Sequence, residues 1–261
     1  MTIGLIGGSG LHDIEGFETR EEISLSTPYG LPSSIYRRGT LDGTELIFLA
    51  RHGIPHRFAP HKINYRANIW GFKSLGVERI ISVSAVGGIN SAIRPGSVVF
   101  PDQIIDMTMG GRASTFYDEE RIVHVDFTHP YCAGLRGGLR QAAGAIGLPV
   151  EENGTYICVN GPRLETAGEI HFFSSIGADV VGMTAMPEAV LARELEICYA
   201  GISVVTNYAA GISGSRLTTS EVVETMRNSL DAIKSLLRAT FPLVPDCRLC
   251  ECKDALKDAG M

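Results

Sequence analysis

Four short segments of the chain carry residue types suited to holding an anion. Gly7-Gly8-Ser9-Gly10 directly follows an apolar run at Ile3 to Ile6. Backbone N–H groups and a hydroxyl can cradle a phosphate there, and the same residues also make a plain tight turn. Arg51-His52-Gly53 follows the run Glu45 to Ala50, with His56, Arg57 and His61 close behind. A guanidinium beside an imidazole binds anions by charge-assisted hydrogen bonds, although a solvated basic loop has the same composition. Ser84-Ala85-Val86-Gly87-Gly88 follows Arg79 to Ser84, and Gly182-Met183-Thr184 follows Ala178 to Val181. Each strand end thus offers a small or hydroxyl residue, as expected where an α/β sheet gathers a ligand at one edge. The dinucleotide fingerprint fails, because Asp13 stands where its third glycine belongs, and no G-K-[ST] follows. NAD and ATP readings lose support.

The elements that must position these residues are legible as alternating strands and helices. Further β-branched runs occur at Ser97 to Phe100, Thr155 to Val159 and Ile202 to Thr206. The clearest helix begins near Thr218, which has capping-box spacing to Glu221 and precedes an apolar stripe of Val222, Val223, Met226, Leu230, Ile233, Leu236 and Leu237. A second starts at Pro187, a first-turn residue, and runs through Glu188, Ala189, Val190, Leu191 and Leu195. Two more are expected over Asn64 to Leu75 and Tyr131 to Ile146. This alternation predicts an α/β fold, a single domain with a mixed, mainly parallel central sheet flanked by helices. No internal repeat or linker divides it.

Composition narrows the function. The chain has 261 residues, 44% hydrophobic and 20% charged, with a formal net charge of −6, which excludes intrinsic disorder. Without a basic surplus, no nucleic-acid partner is expected, and an anionic ligand must be held by local groups rather than by the overall field. No apolar stretch reaches the roughly 18 residues of a membrane helix, and the N-terminus lacks the charged region of a signal peptide, so a cytoplasmic protein without a membrane partner is expected.

Of six cysteines, Cys132, Cys158 and Cys198 read as small core residues. Cys247, Cys250 and Cys252 form C-x-x-C-x-C on a tail, 243–261, that follows the main domain, 1–242. A closed zinc site needs a fourth ligand and no histidine is near, so a local disulfide or free thiols are expected and no metal.

Taken together, Gly7-Gly8-Ser9-Gly10-Leu11, Arg51-His52-Gly53, Asn64-Tyr65-Arg66-Ala67-Asn68, Gly161-Pro162-Arg163, Gly182-Met183-Thr184-Ala185-Met186-Pro187-Glu188 and Val205-Thr206-Asn207 resemble the trimeric purine nucleoside phosphorylase and methylthioadenosine phosphorylase family. The match runs in order from residue 3 to about residue 240. The resemblance implies a homotrimer or a multiple of it, and phosphorolysis of a purine nucleoside to free base and pentose 1-phosphate. It implies phosphate bound by Ser9, Arg51, His52, Ser84 or Ala85, and Thr184, with Met183 at the ribose. A histidine from a neighbouring subunit approaches the 5′ end in this family, and His124 is the candidate. Inorganic phosphate is then a co-substrate, and no cofactor is implied.

At the base end, donors and acceptors can be counted. A 6-oxopurine presents the O6 acceptor and an N1–H donor, and adenine presents the opposite pattern. Asn207 can donate to O6 and accept from a protonated N7, and Glu165 can accept from N1–H. Adenosine-type members resemble T-D-Y-D where this chain has Thr206-Asn207-Tyr208-Ala209, and they carry a small residue at the place of Glu165. Glu165 could otherwise be a first-turn helix carboxylate, and Asn207 a turn residue. Thr219 falls at the family's 5′ specificity position and is neither clearly apolar nor a strong polar ligand. The expected substrates are inosine and guanosine in purine salvage. The alternatives are 5′-methylthioinosine or 5′-methylthioadenosine, or a catalytically silent module that binds nucleoside or anion.

Overall fold

The computed structural model describes residues 2–8, 11, 16–118, 121–213 and 218–260. Among them the strands are β1 (Ile3–Gly7), β2 (Glu18–Ile23), β3 (Tyr36–Leu41), β4 (Thr44–Ala50), β5 (Arg79–Gly88), β6 (Val98–Val99), β7 (Gln103–Met107), β8 (Val150–Glu151), β9 (Thr155–Val159), β10 (Val180–Gly182) and β11 (Cys198–Tyr208). The helices are α1 (Tyr65–Ser74), α2 (Ala133–Ala145), α3 (Ala167–Ser175), α4 (Ala185–Glu194) and α5 (Thr219–Thr240). Helix α3 and strands β2, β3, β7 and β8 were not anticipated. Each lacks a strong apolar period: β2 reads ETREEI and lies exposed at the sheet margin, where its glutamates discourage edge pairing.

Strand β1 is buried at every position because parallel neighbours flank it, β4 on one edge and β5 on the other. β11 runs parallel to β5 along its whole length, while β10 pairs antiparallel with Gly87 and Gly88 at its end. β9 lies parallel to β10, and β7 parallel to β9. The sheet is mixed and mainly parallel, and the ends of β4, β5, β10 and β11 converge.

Alternation along the strands feeds two apolar layers. Leu46 and Phe48 face the layer that holds Leu139 of α2 and Ile233, Leu236 and Leu237 of α5. Ile47 and Leu49 face the opposite layer with Phe72 of α1 and Leu191 of α4. In α5 the Thr218 side chain accepts the Glu221 N–H at 3.2 Å, as the spacing predicted. The stripe departs from expectation in the first turn: Val223 is 56% exposed, and Val222 turns inward instead. After α5 the chain folds back, and Phe241, Val244 and Cys252 join the layer under α2 and α5. Among the described residues no helix is long and apolar enough to cross a membrane.

Candidate active site

The strongest electrostatic feature of the site is Arg51, which follows β4 and has its backbone tied to β1 by Arg51 N–H to Gly7 C=O at 3.0 Å. Its side chain is wholly buried. Nε donates to Glu188 Oε1 at 2.8 Å and Nη2 to Glu188 Oε2 at 3.0 Å, while Nη1 donates to Val83 C=O at 3.0 Å and Nη2 to Ser82 Oγ at 2.6 Å. Burial opposes the guanidinium charge, but Glu188 outweighs it and the pKa is raised. Tyr199 OH and Ser82 Oγ also donate to Glu188 Oε2, at 2.8 and 3.1 Å. Four of the five guanidinium N–H donors are thus engaged by described residues, which leaves one on Nη1 to face a ligand. Glycine is required beside it: a Cβ on Gly8 would lie 2.8 Å from Nη1 and 2.5 Å from Val83 C=O. Ser9, one residue further on, lies outside the described residues.

His52 is nearly buried, with Nδ1 2.9 Å from Phe58 C=O and its ring stacked on His56 at 4.2 Å. A carbonyl can only accept, so Nδ1 carries the proton in this contact. Ser84 and Ala85 of β5 border the same cavity as Arg51, His52 and Thr184. Thr184 precedes α4, and two backbone donors at this junction are spent internally. Thr184 N–H donates to Tyr156 OH at 3.3 Å and Met186 N–H to Cys158 Sγ at 3.3 Å.

Another part of the cavity wall is built by an irregularity in β11. Register shifts between Val205 and Asn207, so the neighbouring residues Thr206 and Asn207 both border the cavity, where strict alternation would send them to opposite faces. Asn207 Oδ1 accepts from Thr206 Oγ1 at 2.9 Å, and Nδ2 donates to Tyr208 C=O at 2.8 Å. One amide N–H and one oxygen lone pair remain for a ligand. Asn207 sits within β11 and is not a turn residue. Glu165 borders the same cavity; burial, followed by the charge of Glu169, raises its pKa above the ordinary carboxylate range. The first-turn helix carboxylate of this segment is Glu169 of the α3 capping box, four residues beyond Glu165.

Sequence reasoning missed Glu188 as a charge partner and Arg112 altogether. Arg112 Nη1 donates to the carbonyls of Met183 at 2.8 Å and Met186 at 2.5 Å, and Nη2 to Asn160 C=O at 2.9 Å. It fastens the β10–α4 connection, and with it Met183, to the end of β9. Carbonyl acceptors leave no mark in a sequence; the only available signal for Glu188 was its place in the Gly182-to-Glu188 motif.

Met183 and Ala209 also border the cavity, and so does the Val222 side chain of α5. Three predicted residues do not. Tyr208 turns its OH to Ser91 C=O at 3.4 Å. Thr219 is exposed beside Ser220 and Arg227 on α5, because the inward phase of that helix begins three residues later at Val222. His124 is exposed, with its N–H donated to Ala259 C=O at 2.8 Å.

A profile of the phosphorylase superfamily matches residues 2–242. The chain is 56% identical over 260 residues to a probable S-methyl-5′-thioinosine phosphorylase of Thermodesulfovibrio yellowstonii, covering 100% of this chain and 97% of that one. It is 52% identical over 264 residues to the 6-oxopurine nucleoside phosphorylase of Pyrococcus furiosus, covering 98% of each. Among solved structures, methylthioadenosine phosphorylase from Schistosoma mansoni in complex with adenine superposes with a TM-score of 0.93 at 30% identity, covering 98% of this chain and 96% of that one.

Proposed function

The chain belongs to the phosphorylase superfamily, and on that footing we propose that it cleaves 6-oxopurine nucleosides, inosine and guanosine, with inorganic phosphate. One observation carries the base assignment: Glu165 and the half-satisfied amide of Asn207 border the same cavity as Arg51, His52, Ser84 and Thr184. The remaining Asn207 N–H can donate to O6 and its remaining lone pair can accept from N7–H. Ionised Glu165 can accept from N1–H. Adenine, with a lone pair at N1, would leave Glu165 facing it unpaired, and such mismatches discriminate by several powers of ten.

The reaction follows from charge. A phosphate oxygen forms a bond to the anomeric carbon as the bond from that carbon to N9 breaks, through an oxocarbenium-like sugar. The electron pair of the broken bond moves onto the purine, which takes up a proton and leaves as the neutral base. The chain's part is to hold the two reactants and favour negative charge on the purine. The Arg51 N–H, the hydroxyls of Ser84 and Thr184, and His52 supply phosphate contacts, and phosphate faces the cationic sugar.

A second reading, 5′-methylthioinosine as substrate, is favoured by Val222, an apolar side chain on the first turn of α5 that borders the cavity where Thr219 does not. It shares the base contacts. The assembly that fits both readings is a trimer in which the partner subunit's His124 approaches the 5′ end. His124 is exposed and borders no part of its own chain's cavity. A panel of inosine, guanosine, adenosine and their 5′-methylthio forms, assayed with and without phosphate, tests the proposal. Phosphate-dependent release of hypoxanthine is expected, and equal or faster cleavage of adenosine overturns the base assignment.

A further inference from the structure

The C-terminal cysteines do not stand alone. Cys250 and Cys252 meet Cys132 and Cys198, and the four Sγ atoms all lie within 4.8 Å of one another. Cys247, the third member of the sequence cluster, is exposed and outside the group. The four sulfurs come from three places: the residue before α2, the first residue of β11, and a short 3-10 turn at Glu251–Asp254, which holds Cys252 and is preceded by Cys250. Cys132 and Cys198 are brought together by the Cys132 N–H, which donates to Tyr199 C=O at 2.8 Å.

The arrangement is mutual, not pairwise. Disulfides would commit each sulfur to one partner and leave the pairs independent. A tetrahedral thiolate site with arms of about 2.3 Å has sulfur–sulfur edges of about 3.8 Å, each sulfur near all three others. The observed separations, from 3.3 Å for Cys198–Cys250 to a limit of 4.8 Å, bracket that edge.

The surroundings suit a cluster of negative charge. Arg79 and Arg248 border the same group, and both pair with the single carboxylate of Glu78, at 3.3 and 3.1 Å, which leaves a net positive charge beside the sulfurs. Cys132, Cys198 and Cys252 are buried, so water has little access.

We infer that Cys132, Cys198, Cys250 and Cys252 form a structural zinc site that fastens the C-terminal residues to the start of β11 and to α2. Four thiols lose their protons as the ion binds, and soft tetrahedral sulfur ligation selects zinc over harder divalent ions. None of the four borders the phosphorolysis cavity, so the site acts on stability.

The test is elemental analysis of the full chain purified without chelator. About one zinc per chain is expected, and replacement by Co2+ should give the intense visible absorption of tetrahedral cobalt thiolate. Cys252→Ser should lower zinc occupancy at least ~10-fold, whereas Cys247→Ser should retain it. Three results overturn the inference: wild-type chain without stoichiometric zinc, the four thiols recovered as two disulfides by mass before reduction, or Cys252→Ser holding as much zinc as Cys247→Ser. The cobalt spectrum of the wild type decides the question even if Cys252→Ser does not fold.

Discussion

The Arg51 guanidinium lies 2.8 Å from the Glu188 carboxylate, with neither side chain more than 1% exposed. One acid therefore holds the main cation of the site in place, and most of that cation's donors are turned inward. A buried pair of this kind contributes little net stability, but breaking it is expensive. Glu188→Ala should destabilise the fold by about 3–5 kcal/mol, read by urea denaturation. The double variant Arg51→Met/Glu188→Leu should regain most of that stability while phosphate-dependent turnover stays lost. A double variant with full turnover would remove Arg51 from phosphate binding.

Asn207→Asp reverses one partner at the base end. The new carboxylate cannot donate to O6 but can accept from a 6-amino group. Inosine turnover should fall on the order of a hundredfold, about 3 kcal/mol, and adenosine should become detectable. Unchanged kcat/KM for both nucleosides would take Asn207 out of base recognition.

The strand-end motifs were legible because each joins an apolar run to glycine or a hydroxyl, a pattern that sheet geometry itself imposes. Glu165 and Asn207 were found through resemblance, and the β11 bulge that lets Asn207 share the cavity with Thr206 has no sequence signature. Thr219 against Val222 is a matter of helical phase at the first turn, which a seven-residue stripe does not define. Arg112 works through backbone carbonyls, to which every residue type contributes equally. The cysteine group was hidden for another reason: spacing rules see Cys247, Cys250 and Cys252 together, while folding replaces Cys247 with Cys132 and Cys198.

Gly161 has φ of +64°, and a Cβ there would lie 2.4 Å from Met183 Sδ. Gly161→Ala both strains the backbone and displaces Met183 from the cavity wall. Its expected signature is a raised nucleoside KM with a smaller change in phosphate KM. Equal change in both would mean a general loss of fold, checked by circular dichroism.

Burial, and after it the charge of Glu169, raises the Glu165 pKa. As pH falls through that value the group gains a proton, ceases to accept from N1–H and becomes able to donate to the adenine N1. The acid limb of kcat/KM for inosine should therefore lie above the ordinary glutamate value of about 4.3. The ratio of adenosine to inosine cleavage should rise as pH drops, and Glu165→Gln should flatten both effects. A limb unmoved in Glu165→Gln would assign it to another group.

Glu165 depends in turn on the start of α3. Thr166 Oγ1 accepts the Glu169 N–H at 3.1 Å, and Glu169 Oε2 accepts the Thr166 N–H at 2.7 Å, which fixes the residue next to Glu165. The Arg163 hydrogen bonds, and after them the Thr166 N–H, hold the Glu169 carboxyl at about 2. A depressed acid stabilises above its unfolded pKa, about 4.3, and that contribution is lost as pH falls toward the folded value. Thr166→Ala removes the cap at a cost of about 1 kcal/mol. Because the cap also orients Glu165, the same variant should raise the inosine KM more than that of phosphate. Arg163→Ala breaks an exposed ion pair to Glu169 and a hydrogen bond to the Leu164 carbonyl, and should cost less. If the two variants raise the inosine KM equally, the cap does not position Glu165.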